Sequence, residues 1–362
     1  MSRLNDLKLF DTCLPELSEL RGASGDEGAV RRFIKEKVKP LCDEVFTDTM
    51  GNLYAHKKKE GRPRVLLTAH MDEVAMLITK IRDDGELEYD YAGIDCRVMP
   101  GRRVVIGENA VMGVIGTKPI HLQSDEEYAS AVKHKDLTID IGAKDKDDAS
   151  KYVSVGDYAC FTTKFEEFGE GLFTGKALDD RVGCAVLIEL LKGDYDLDLF
   201  AAFTVQEEAG VRGANLAADH VHPQLALNFE GTTANDMPEA KGHETVTKVG
   251  FGPALTFMDR GTIVPARVFD ALKNAANKAG IPYQLRCGTN GMTDIGRIHT
   301  DVGGCLSGGI SVPCRYIHSA QSVASQEDLI NTIRLADSFL SDPAAIEGLI
   351  SPAAFEKGDR NE

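Results

Sequence analysis

The 362-residue chain has no tryptophan, and aromatic residues make up only 7% of it. That shortage weighs against a sugar-processing enzyme, whose sites commonly stack substrate on aromatic platforms. Long apolar runs are also missing. No segment approaches the ~20 apolar residues needed to span a bilayer, and the opening "MSRLNDLKLF" has no apolar signal core. A cytoplasmic protein without a membrane partner is expected. Basic clusters are scarce: 41 Lys and Arg face 57 Asp and Glu, for a formal net charge of -16. Nucleic acid is therefore excluded as a partner, since too few cations are available for phosphates. The longest basic run, "HKKKEGRPR", reads as a solvated turn. The eight cysteines stand singly, never as C-x-x-C. That pattern excludes a disulfide frame or thiolate zinc site and indicates reduced, mostly buried thiols.

What is present is ample apolar content, 43% of residues, in a chain too long for one ordinary core. Residues 1–73 read as α/β. "SGDEGAVRRFIKEKV" carries a Ser24–Glu27 capping box ahead of a helical apolar stripe, and "GNLYAHK" and "RVLLTAH" read as strands. Between 74 and 163 the texture changes to short β-rich runs such as "VAMLITKI", "ELEYDY" and "RRVVIGENAVMGVIG", divided by turn residues. Only "SDEEYASAVKH" looks helical there. From 164 the α/β texture returns. "RVGCAVLIELLKG", "PARVFDALKNAANKAG" and "SQEDLINTIRLADSFL" are helical, the last capped by Ser325. "DLFAAFTV", "QLALNF" and "GGISVPCRYIH" are strands. The final "SPAAFEKGDRNE" is polar and expected to fray. The expected architecture is an α/β catalytic domain, 1–73 plus 164–362, interrupted by a small β-barrel or sandwich at 74–163.

The chemistry sits where the apolar strands stop. His70 and Asp72 follow "RVLLTA", Glu207 and Glu208 follow "LFAAFTVQ", Glu230 follows "LALNF", and His318 follows "ISVPCRYI". Asp179 and Asp180 open the helix after the insert. Open α/β sheets place ligands outside the carboxyl ends of their strands, so these groups are expected to converge. Each has a bland explanation alone: a polar strand end, a helix N-cap, a solvated acidic pair. Their shared context is what favours a site. Two imidazoles with three carboxylates and no thiolate suit zinc, cobalt or manganese. Such a set holds two cations if one carboxylate bridges, and metals ~3.5–4 Å apart can clamp a carbonyl oxygen. One glutamate of the 207–208 pair would ligate and the other serve as general base.

The motifs "TAHMDEVA", "GKALDDRVG", "TVQEEAGVRGA", "EGTTANDMP", "GMTDIGRIH" and "VPCRYIHS" resemble the tetrahedral aminopeptidases. That family of dinuclear metallo-aminopeptidases includes glutamyl and deblocking members, and some carry an endoglucanase label. The likeness runs from about residue 10 to 345. It implies a mixed-sheet α/β/α catalytic domain of the zinc-exopeptidase type with an inserted β-barrel that serves dimerisation and assembly. It implies two divalent ions per subunit, zinc or cobalt. His70 and Glu230 would bind one, Glu208 and His318 the other, with Asp179 bridging and a cis 179–180 peptide allowed. Glu207 would be the general base acting on metal-activated water, and Asp72 would support His70. Met292 and Asp294 would lie near substrate. The implied activity is release of N-terminal residues from short peptides by a self-associated dodecamer built from dimers. The chain departs from the common family pattern at Glu230, where many members have Asp, and at Met292, where many have Gly. A deacylase of small N-acyl compounds would use the same centre. A glycosidase would not need the two histidines, and a metal-dependent scaffold would not need Glu207.

Overall fold

The computed structural model describes residues 4, 6–91, 93–301 and 303–351. The tail from Pro352, expected to fray, lies outside them, as do residues 1–3 and 5 of the opening segment. Four strands form the parallel heart of an eleven-stranded sheet: Arg64–His70, Asp198–Thr204, Leu225–Ala234 and Leu306–Arg315. Antiparallel strands flank them, Leu53–Lys57 and Glu44–Thr47 on one side, Ser322–Ser325, Leu172–Gly175 and Glu166–Phe168 on the other. The alternation of each strand feeds two cores. Leu53, Val65, Leu67 and Ala201 face one cluster, while Tyr54, Leu66, Phe200 and Ala202 face the other. A sheet covered on both faces needs apolar residues on both, which is why "DLFAAFT" is buried throughout. The result is a mixed-sheet α/β/α layer structure.

Helix Leu178–Leu191 is buried at every position except Asp179, as expected of a helix apolar all round. Gly183 permits its close approach to the sheet, since a Cβ there would lie 2.3 Å from the Phe229 carbonyl oxygen. Helices Gly28–Val38 and Ala266–Ala279 each bury one apolar stripe, whereas Gln326–Leu340 is buried at all but Gln326, Glu327 and Arg334.

The β-rich segment closes into a six-stranded antiparallel barrel with strands from Met76–Ile81 to Tyr158–Phe161. It has its own core, which includes Met76, Ile78, Val104, Ile106 and Ile139. Ala320, from the far end of the chain, is buried in that same core.

Local signals failed in identifiable ways. Ser24 does not cap Gly28–Val38; its hydroxyl donates to Asp72 at 2.6 Å, and Glu27 accepts from the Gly25 and Gln206 amides. The helix expected over "SDEEYASAVKH" covers only Asp125–Ala129, capped by Ser124 and Glu127. Strand Leu225–Ala234 runs well past "LALNF".

Candidate active site and metal centre

Strand register brings the site residues together. His70 ends its strand level with Thr204, so Glu207 and Glu208 emerge beside it. Strand Leu225–Ala234 pairs with Arg64–His70 only through Leu225–Asn228, yet stays paired with Leu306–Arg315 along all its length. Glu230 therefore lies within a strand rather than past its end, on the stretch that has parted from Arg64–His70. A cleft of about 560 Å³ opens there, lined by His70, Asp179, Glu207, Glu208, Glu230 and His318.

Asp179 lies at the centre. Its Oδ1 is 3.2 Å from His70 Nε2 and its Oδ2 is 3.6 Å from His318 Nε2. His318 Nε2 is also 3.5 Å from Glu208 Oε2. Ligand atoms of His70, Asp179 and Glu208 all fall within 4.8 Å of one another. Glu207 Oε2 stands 3.9 Å from His70 Nε2. The Asp179–Asp180 peptide is cis. Asp180 turns away from the cleft and accepts from the amides of His70 and Gly183 at 3.0 and 2.9 Å.

Supporting contacts fix these groups. Asp72 is fully buried. It accepts from the Ser24 hydroxyl and from the amides of Glu207 and Glu208 at 3.0 and 3.1 Å. One carboxylate thus holds the turn that carries both glutamates. His70 Nδ1 lies 3.2 Å from the Asp72 carbonyl oxygen and 3.4 Å from its Oδ1. Asn228 accepts from Thr68 and donates to Glu230 Oε2 at 3.0 Å. Of the two residues expected near substrate, Met292 lines the cleft. Asp294 does not; it is 1% exposed and accepts from the Thr204 hydroxyl at 2.6 Å.

The electrostatics show a cluster short of positive charge. Burial pushes Glu207 well above the carboxylate range, and Glu208, Asp294 and Glu230 push the same way against His70. Burial, helped by Asp179, raises Glu208 to about 7 against the pull of His318. Burial and Asp179 raise Glu230 well above its usual value. The imidazoles respond in kind. Burial opposes charge on His318, but Asp179 and Glu208 lift it to about 9, and Asp179 and Asp72 hold His70 well above its usual range against burial. A divalent cation would relieve this excess of buried carboxylate. The donors are nitrogen and oxygen, and the Cys184 thiol, which donates to the His70 carbonyl, is pushed up by burial. This donor set fits zinc, cobalt or manganese.

The site roles of three residues carry no sequence signal. Ser24 and Asn228 act across distant segments. Arg286 lines the cleft and donates to Thr232 Oγ1 and to the carbonyls of Gly288 and Asn290 at 3.0, 2.5 and 2.6 Å.

Comparison with known proteins places the chain among aminopeptidases. A putative aminopeptidase of Acetivibrio thermocellus is 37% identical over 90% of this chain and 97% of its own. The structure of a TET aminopeptidase from a marine sediment Thaumarchaeota archaeon superposes with a TM-score of 0.89 at 36% identity, covering 92% of this chain and 97% of that one. The TET1 peptidase of Pyrococcus horikoshii, described as assembling into a tetrahedron or a large octahedral shell, gives 0.80 at 32% identity over 90% and 97%. The family model for the M42 glutamyl aminopeptidases matches residues 51–335, and the chain belongs to that family of peptide hydrolases.

Proposed function

We propose that this protein is a metal-dependent aminopeptidase that releases N-terminal residues from short peptides, with a dinuclear centre and Glu207 as general base. The observation that carries the reading is Asp179, whose two carboxylate oxygens face two different imidazoles. His70 and Glu230 would hold one cation, Glu208 and His318 the other, with Asp179 shared. Zinc and cobalt both suit these donors. When bound, such ions act as Lewis acids toward water and the scissile carbonyl.

The chain's own residues supply the rest. The match to glutamyl aminopeptidases weighs against the deacylase alternative. Glu207 reaches into the cleft beside His70. Its carboxylate takes a proton from the attacking water and returns it to the leaving amine. Asp72 and Ser24 hold the turn that aims it. Asp294, beneath the cleft, steadies the strand end through Thr204. Met292 and the Arg286-bound lip Gly288–Asn290 shape the wall that meets the substrate.

Residues 1–73 and 164–362 form the catalytic unit in this reading, and 74–163 an assembly unit. Support for the latter comes from apolar side chains the insert exposes, among them Ile120, Leu122 and Tyr128 at 66, 60 and 68%. The assembling relative described above supports a homo-oligomer, read here as a dodecamer built from dimers. Among the described residues no helix is long and apolar enough to cross a membrane.

The test is turnover of a panel of aminoacyl anilides by protein stripped with chelator and refilled with zinc or cobalt. Restored release from free-amine substrates is the expected result. Glu207→Gln should keep its metal and lose ~10²–10⁴ in turnover; unchanged turnover refutes the assigned base.

A further inference from the structure

The segment that carries His318 is not held by the catalytic sheet alone. Its strand ends at Arg315, and the chain then passes through Tyr316 and His318 at φ of 61° and 60°. Side chains seldom adopt that region unless the surroundings impose it. Here much of the surroundings is the barrel. Ala320 is buried in the barrel core, 2% exposed. Thr163, at the return from the insert, donates its hydroxyl to the Ala320 carbonyl at 2.6 Å. On the other side, His318 Nδ1 lies 2.9 Å from the carbonyl oxygen of Gly93, which follows barrel strand Leu87–Tyr91.

A carbonyl only accepts, so Nδ1 carries the hydrogen, and in the neutral imidazole Nε2 keeps the lone pair that can ligate a cation. Nε2 is the atom that faces Asp179 and Glu208. Position 93 is restricted in two ways. Its φ is +70°, and a methyl placed there would sit 2.9 Å from Nδ1 and 3.3 Å from Cε1 of His318. A partner on the outer nitrogen fixes the tautomer and plane of a ligating imidazole.

We propose that the inserted barrel positions His318 as a metal ligand, with Gly93 as the positioning residue and the Thr163–Ala320 contact as the second anchor. The insert would then complete the catalytic centre in addition to any part in assembly. This inference rests on the two-cation reading given above.

The test compares Gly93→Ala with Gly142→Ala in the full-length protein. Gly142 lies in the same insert at φ +76° with nothing within 4 Å of its would-be Cβ, so it carries the same backbone penalty without touching His318. Metal-stripped protein is titrated with cobalt against a chromogenic chelator. The expected result is two ions per subunit for wild type and Gly142→Ala, with one of the two bound on the order of 10-fold or more weakly in Gly93→Ala. Thr163→Val should show a smaller loss of the same ion. Wild-type affinity in Gly93→Ala, or equal weakening in Gly142→Ala, overturns the proposal. If Gly93→Ala does not fold by circular dichroism, Thr163→Val decides: weakened binding supports the proposal and unchanged binding overturns it. A wild-type protein that takes up no cation would bring down the two-cation reading itself, and this inference with it.

Discussion

Beneath the cleft, Lys176, Glu73 and Arg181 form a buried charge cluster, each side chain at most 2% exposed. Lys176 Nζ donates to both Glu73 oxygens at 2.7 and 2.8 Å and to the Leu20 carbonyl at 2.6 Å. Arg181 stands 3.6 Å from Glu73 and donates to the carbonyls of Met71, Leu17 and Leu20. Two cations share one anion, so the two ways of breaking the cluster differ. Lys176→Met leaves a balanced Arg181–Glu73 pair, with Glu73 still accepting from the Gly22 amide. Its expected effect is about 3 kcal/mol, the lower end for breaking a buried pair. Glu73→Gln keeps that amide contact but leaves two buried cations with no anion, and about 5 kcal/mol or more is expected. The damage is limited only by Lys176 giving up its proton. Burial already lowers its pKa, with Arg181 pushing the same way against Glu73. A folded-state lysine pKa below the unfolded value means the unfolded chain binds more protons in between, so stability rises with pH toward 10.5. That rise should be steeper in Glu73→Gln than in wild type. The assay is urea unfolding of metal-stripped protein at pH 7 and 9. Equal destabilisation by the two variants, or a larger loss in Lys176→Met, would refute the charge argument.

Two further outcomes are expected. Asp328 is 1% exposed and accepts from the Gly250 and Gly252 amides, and burial raises its carboxyl to about 6. The folded state therefore gains stability as pH falls through 6, by up to about 2 kcal/mol at pH 4.5. Asp328→Asn removes that gain, so its deficit against wild type should be greater at pH 4.5 than at pH 7 in chemical unfolding, and a pH-independent deficit would refute it. Arg286→Met releases the lip Gly288–Asn290, and steady-state kinetics should show a raised KM with unchanged metal content.

Much of this was legible in the residues. Apolar strands that stop at His70, Glu207 and His318 announced a parallel sheet with its site on one edge, and short β runs with turn residues announced the barrel. What escaped was non-local. Ser24 with Glu27 reads as a local cap, but Asp72 and Gln206 offer those side chains distant partners that only the fold supplies. Strand Ser322–Ser325 is four residues long and buried between neighbours, too short for its alternation to register. The strand looked as if it ended before Glu230 because Glu230, Thr232 and Thr233 lie on the stretch from which the neighbouring strand has parted. Arg286 gave no hint because its partners are mostly backbone carbonyls, which sequence does not display.

The order of the site along the chain has a consequence for biosynthesis. The five proposed ligands are spread from position 70 to 318, and the two that flank Asp179 arrive at opposite ends of that span. Parallel pairing of distant segments forms late and slowly. With His70 and His318 both among the proposed ligands, the centre would be complete only once the last strands have joined the sheet, so a nascent or half-folded chain is expected to lack peptide-cleaving activity.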